Sequence, residues 1–241
     1  MKIGNQSIKF NNTYIFDTSS VVGPKESLGP LSTYFDMCIT DVFYGEKTFE
    51  KAEIKFLNAT IDKLLEKNGL FESNIDFVMS GDLLNQCISS AYAMRKYNIP
   101  YFGLYNACST FVEGIILSSV LIDNNSAKKI IATSSSHFCS AERQFRLPLE
   151  HGNQKVPTSQ YTVTGAGAVL LSNIGNIQIT YSTTGKVIDM GIKDINNMGA
   201  AMAPAAYDTI KAHLKDTKRD INYYDHIYTG DLRRYRKYNF S

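Results

Sequence analysis

The sequence has no long apolar run, no pronounced charge of either sign and no paired cysteines, and each lack removes a class of function. Its richest apolar stretch, Ile115 to Ile122, is interrupted by Ser118 and Ser119 and falls well short of the roughly 20 residues that cross a bilayer. Met1 to Gln6 lacks the apolar core of a secretory signal. Any membrane association is therefore expected to be peripheral. A formal net charge of +2 over 241 residues gives no basic excess of the kind that holds a nucleic-acid backbone, so nucleic acid is not an expected partner. Cys38, Cys87, Cys108 and Cys139 are widely separated, with no Cys-x-x-Cys pair and no histidine at metal-ligand spacing. That spacing predicts free thiols, a reducing compartment and no structural zinc.

What is there suits a packed globular chain: 44% hydrophobic and 20% charged residues are enough for a core and too apolar for disorder. Helix-like and strand-like stretches alternate, which predicts an α/β domain with parallel strands. Ile54, Leu57, Ile61 and Leu64 recur at helical spacing before Gly69, a helix with a glycine stop. Ile75 to Ser80 reads as a buried strand, Leu84 to Tyr97 as a helix and Tyr101 to Tyr105 as a short strand. Thr110 to Ile122 reads as a buried helix and Lys129 to Thr133 as a strand.

The chain also repeats itself. Asp225-His226-Ile227-Tyr228-Thr229-Gly230-Asp231-Leu232 copies the pattern of Asp76-Phe77-Val78-Met79-Ser80-Gly81-Asp82-Leu83, 149 residues earlier. A helix-like stretch precedes each copy, Ala52 to Lys67 and Ala200 to Leu214, so a duplicated α/β half is the expectation. It divides the chain into a first half over residues 1–175 and the start of a second over 176–241. Nine residues follow Leu232, and against the first half the second reads as truncated. The tail Arg233-Arg234-Tyr235-Arg236-Lys237-Tyr238 is basic and aromatic, which superficially suggests RNA or membrane contact, but it reads as an unselected or frame-shifted end.

Candidate chemistry centres on Tyr105-Asn106-Ala107-Cys108-Ser109-Thr110, which joins a strand to a helix. A cysteine there faces unpaired N–H groups and a helix dipole that favour a thiolate or a bound anion. Read alone, it is equally a nucleophile, a ligand-contacting thiol or a small buried hydrophobe. His137 closes a strand after Ser134-Ser135-Ser136 and is either a cleft residue or a histidine satisfied by backbone. Asp82 and Asn85 either face a cleft or cap the following helix. Arg143 and Arg146 are ligand contacts, surface charges or dimer contacts. His151 and His213 read as surface residues. Thr164-Gly165-Ala166-Gly167 lies in a strand-like run with no Lys-Ser/Thr after it, so it does not read as a phosphate loop.

Strand-Ala107-Cys108-Ser109-Thr110-helix, within the first of two similar halves, resembles the nucleophile position of thiolases and ketoacyl synthases. A longer set of motifs covers nearly the whole chain. It comprises Ser20-Val21-Val22-Gly23-Pro24-Lys25-Glu26, Gly81-Asp82-Leu83-Leu84-Asn85-Gln86, Ala132-Thr133-Ser134-Ser135-Ser136-His137, Glu142-Arg143-Gln144-Phe145-Arg146, Thr162 to Ala168 and Asn197 to Ala206. In that order these resemble the stage V sporulation protein AD family. The resemblance implies a thiolase-like αβαβα fold and binding of dipicolinic acid, with no cofactor and with calcium only as the dipicolinate chelate. It implies a homodimer working with other stage V sporulation proteins, peripheral to the spore inner membrane or on its cytoplasmic face in the sporulating cell. Cys108, His137, Asp82, Asn85, Ser135 and Arg143 are the residues it brings to the ligand.

Thiolase-type catalysis needs an acid/base histidine and an oxyanion hole beside the cysteine. Where decarboxylating synthases supply a second-half histidine, this chain has Thr229-Gly230-Asp231. The expectation is a binding protein. The alternatives are an acyltransferase using Cys108 and a structural scaffold or decayed fragment without ligand.

Overall fold

The computed structural model describes residues 1–145, 161–193 and 198–230. In chain order, β1 (Lys2–Ile3) and β2 (Ser7–Lys9) are followed by β3 (Tyr14–Val22), α1 (Pro24–Ser27), β4 (Met37–Cys38) and α2 (Phe49–Lys67). Next come β5 (Phe77–Gly81), α3 (Ile88–Met94), β6 (Tyr101–Gly103), α4 (Thr110–Asp123), β7 (Lys129–Ser136) and α5 (Phe138–Phe145). The remainder is β8 (Gly165–Ser172), β9 (Ile177–Gln178), β10 (Tyr181–Thr183) and α6 (Met198–Thr217). Two compact units form: the described residues of 10–180, and residues 1–9 with the described residues from 181 onward.

The larger unit is built on a sheet in the order β4-β3-β8-β7-β5-β6, with β9 also on β3. Val78-Met79 of β5, Ile130-Ile131-Ala132 of β7 and Val169-Leu170-Leu171 of β8 are apolar at successive rather than alternate positions, as burial on both faces requires, whereas β3 carries Asp17, Thr18, Ser19 and Ser20. Val78, Ile131, Ala168 and Leu170 turn to the side of α2 and α3, where they meet Phe56, Leu57, Ile61 and Met94. Their neighbours Met79, Ile130, Ala132, Val169 and Leu171 face the opposite cluster with Ile122, Phe111 and Ile115 of α4. A strand's period of two thus feeds two cores from one run of residues. On α2 the buried stripe is Glu53, Phe56, Leu57, Thr60, Ile61 and Leu64; Ile54 is only half-buried.

Several expectations need correcting. The sheet is mixed: β5 runs parallel to β6 and β7, but β8 is antiparallel to both β3 and β7. Leu84 to Tyr97 is not one helix. Asp82 takes the amides of Leu84 (2.8 Å) and Ser90 (2.7 Å) on its two carboxylate oxygens, which draws the chain into a loop. Gln86 and Cys87 in that loop adopt left-handed backbone (φ 61° and 51°), and the helix begins only at Ile88. Finally, Asp225 to Gly230 forms no strand. A period-two pattern supplies faces, but a strand also needs a neighbour to take its N–H and C=O groups.

In the smaller unit β1, β2 and β10 form a three-stranded sheet. Asp216 of α6 holds the β1–β2 hairpin by accepting from the amides of Asn5 (3.1 Å) and Gln6 (2.8 Å) and from the Ser7 hydroxyl (3.0 Å). His213 is half-buried rather than a surface residue, set between Thr183 Oγ1 (2.7 Å) and the Tyr224 hydroxyl (2.6 Å).

Candidate functional site

The C-terminal ends of the parallel strands β5, β6 and β7 lie side by side, the edge where α/β sheets carry their ligands. Ser80 pairs with Gly103 and Gly81 with Ser134, which aligns the loop after β5, the turn after β6 and the end of β7.

Cys108 is exposed. It sits in a single 3-10 turn, Ala107–Ser109, that leads straight into α4. Ala107 is left-handed (φ 45°), an uncommon conformation for a residue with a Cβ. Thr110 Oγ1 accepts from the Asn106 amide (3.0 Å) and the Ser109 hydroxyl donates to the Asn106 carbonyl (2.9 Å). These bonds fix the turn and leave the thiol at the start of a 14-residue helix. The turn is pressed onto β5, since a Cβ on Gly81 would lie 2.1 Å from the Leu104 carbonyl oxygen and 2.4 Å from Thr110 Cγ2. Only glycine fits there.

Asp82 is buried and its two oxygens hold the loop as described. Asn85 is exposed and accepts from the Tyr105 hydroxyl (3.0 Å). With Gln86, Cys87, Tyr101 and Tyr105 it lines a shallow cavity of about 550 Å³. The thiol in that wall is Cys87, not Cys108; it donates to the Leu104 carbonyl (2.9 Å), and burial followed by the charge of Asp82 raises its pKa. Tyr101 keeps a buried hydroxyl with no hydrogen-bond partner.

His137 is fully buried. Nε2 meets the Val42 carbonyl (2.9 Å), Nδ1 accepts from the Cys139 amide (3.2 Å) and the ring packs on Phe49. Burial lowers its pKa, so the ring is neutral with both nitrogens engaged. Ser135 is also buried and donates to Glu53 Oε1 (2.9 Å). Arg143 lies on α5, and its side chain is outside the described residues, as are Arg146 and His151. Cys108 and Asn85 are thus at the open edge, Asp82 and Ser135 beneath it, and His137 turned inward.

Glu53 was missed from sequence. It is 1% exposed and also accepts from the Ser140 hydroxyl (3.0 Å). Burial, then the negative charge of Asp82, pushes its pKa up to about 7. Ser89 stands beside the same carboxylate, but its hydroxyl falls short of a hydrogen bond. The signal was present: position 53 falls on the buried stripe of α2, where a carboxylate needs partners to persist.

Among the described residues no helix is long and apolar enough to cross a membrane, and no three His, Cys, Asp or Glu side chains are grouped to hold a metal.

The family model for stage V sporulation protein AD matches residues 4–238. Stage V sporulation protein AD of Bacillus subtilis (strain 168) is 44% identical over 231 residues, covering 95% of this chain and 68% of that protein. The chain belongs to the stage V sporulation protein AD family. Among solved structures, this family member resembles 3-oxoacyl-(acyl carrier protein) synthase III of Xanthomonas oryzae pv. oryzae. The TM-score is 0.59 at 13% identity, over 89% of this chain and 76% of that one. It also resembles OleA of Xanthomonas campestris with cerulenin bound, with a TM-score of 0.62 at 12% identity, over 89% and 74% of the two chains. At such identities the likeness is one of fold, and the stage V sporulation protein AD chain has that thiolase-like fold.

Proposed function

We propose that this stage V sporulation protein AD binds dipicolinic acid, free or as its calcium chelate, and catalyses no reaction on it. Binding serves uptake into the developing spore, with other stage V sporulation proteins as partners at the face of the inner membrane and a homodimer as the working form. Family membership supports the sporulation role. The ligand reading is carried by one observation: Cys108 stands exposed at the start of α4 while His137, the described histidine of its unit, has both nitrogens engaged.

A nucleophilic thiol needs a base within hydrogen-bond reach to take its proton. A thiol at the start of a helix, without that base among the described residues, is suited to hold a carboxylate through the helix dipole, although the Ser109 and Thr110 amides already bond to the Asn106 and Ala107 carbonyls. Dipicolinate offers two carboxylates on a planar ring. Asn85 and the Tyr105 hydroxyl contribute further polar contacts, with the Arg143 guanidinium as the proposed fork.

Thermal melting with and without millimolar dipicolinate, with calcium in a parallel series, tests the reading. A rise in melting temperature that grows with ligand concentration is expected. A cooperative melt with no shift in either series would remove it.

A further inference from the structure

Beneath the Cys108 edge lies a carboxylate to which the binding reading gives no role. Glu53 ties α2 to the end of β7 through Ser135 and to α5 through Ser140. Asp82, itself 2% exposed, faces it from the end of β5 and stays occupied with the amides of Leu84 and Ser90. Among the described residues the charge acting on Glu53 is that of Asp82; β7, α3 and α5 present serine hydroxyls to it. The Cys87 thiol and the Tyr101 phenol are acted on by Asp82 and not by Glu53, and Glu26 and Glu50 act on His137 instead. Among the described side chains no cation offsets the pair, which favours sharing a proton within this cluster.

The cluster is mechanically joined to the site. The loop that Asp82 holds reaches the Cys108 turn through Cys87 on the Leu104 carbonyl (2.9 Å) and Asn85 on the Tyr105 hydroxyl (3.0 Å). β5 lies between β6 and β7, and strands are spaced about 4.8 Å apart, which puts the end of β7 on the order of 10 Å from the end of β6. A charge at the exposed edge reaches the buried Glu53 partly screened by solvent.

We propose that Glu53 is a proton-exchanging positioning residue for the Cys108 site, taking one proton from solvent when an anion settles at the start of α4. This rests on the anion-binding reading above. Incoming negative charge favours the neutral acid over the carboxylate. The neutral acid keeps its place between Ser135 and Ser140, and Asp82 then holds its loop without a repelling neighbour. By reciprocity the anion binds more tightly where Glu53 is already protonated.

The test is calorimetry of the whole chain with dipicolinate from pH 6 to pH 8, in two buffers of different ionisation enthalpy. Net proton uptake near pH 7 is expected, with affinity at least about threefold higher at pH 6 than at pH 8. Glu53→Gln should bind without proton uptake and with a flat pH profile. Ser140→Ala, which removes a bond to the ionised form, should move the midpoint to higher pH and covers the case in which Glu53→Gln does not fold. Binding with no proton exchange in the wild type overturns the inference and leaves the dipicolinate reading standing. If no heat of binding appears, the dipicolinate reading fails. The inference is then decided by the pH profile of Cys108 alkylation, followed by peptide mass spectrometry. An inflection near pH 7 that Glu53→Gln removes supports it, and identical profiles overturn it.

Discussion

Lys218 adopts the same left-handed backbone as Gly69, 149 residues earlier: φ is 56° at one and 59° at the other, and each stands just past the end of its helix. The correspondence continues around them. α2 starts at Phe49 and α6 at Met198, and the 3-10 turns Glu72–Asn74 and Ile221–Tyr223 follow at the same interval. Thr60 and Thr209 both return their hydroxyls to the carbonyl four residues back, at 2.9 Å in each case. The eight-residue sequence repeat thus follows a structural one that runs from the helix start through the 3-10 turn, although Asp225 to Gly230 does not itself form the matching strand.

Glycine takes a left-handed helix stop at no steric cost, whereas a residue with a Cβ is strained there. Lys218→Gly is therefore expected to stabilise the chain by about 1 kcal/mol. Gly69→Ala is expected to destabilise it by a similar amount. Chemical denaturation of the two variants beside the wild type reads both signs.

Gly81→Ala should do more damage than its single methyl suggests. The added Cβ would run into the Leu104 carbonyl and Thr110, backbone and helix start that cannot both withdraw. Overpacking of this kind costs about 1–3 kcal/mol. Because the same atoms support the Cys108 turn, the variant should lose the dipicolinate-induced rise in melting temperature even where it still folds. An unchanged rise would show that the turn is not what the ligand contacts.

Cys108→Ala tests the opposite combination. The thiol is exposed, so stability should change by less than about 0.5 kcal/mol while the ligand-induced shift shrinks. The same variant decides the acyltransferase alternative. Incubation with acyl-CoA and intact-mass analysis should leave the wild type unmodified. A stable adduct that disappears in Cys108→Ala would favour covalent chemistry.

Stability should depend on pH through two buried groups of opposite sign. His137 has a lowered folded pKa, so its contribution is present above the unfolded value and is lost as pH falls below about 6.5. Glu53 has a raised folded pKa of about 7. Its contribution is present below the unfolded carboxylate value and is lost as pH rises from there through about 7, by at most on the order of 3 kcal/mol. Glu53→Gln should remove the loss on the alkaline side, and His137→Gln the loss on the acid side. Melting temperatures from pH 5 to pH 8 separate them.

Much of the larger unit was readable from sequence because both its cores draw on short runs of consecutive apolar residues in β5, β7 and β8 and on one strong helical stripe, whereas β3, with Asp17 to Ser20 inside it, left no such signal. Cys108 was placed correctly at a strand-to-helix turn by the small residues around it. The loop at 82–87 was not legible: Leu84 to Tyr97 has helical composition, and only the buried Asp82 carboxylate, capturing two amides, breaks it. Glu53 was overlooked because a glutamate on a helix reads as solvated unless the stripe is drawn one residue earlier. The inward turn of His137 depends on Val42 and Phe49, which approach from distant parts of the chain and leave no local mark.

Since β8 lies between β3 and β7, the order of synthesis has a consequence for assembly. Tyr14 pairs with Ser172, 158 residues further along the chain. Until β8 has left the ribosome, the strands already made form two separate groups, β4 with β3 and β7 with β5 and β6, each with an open edge beside apolar faces. Contacts this remote in sequence make folding slow, and such exposed intermediates are prone to aggregate. The yield of folded chain should accordingly rise with slower translation or with chaperones that shield nascent strands.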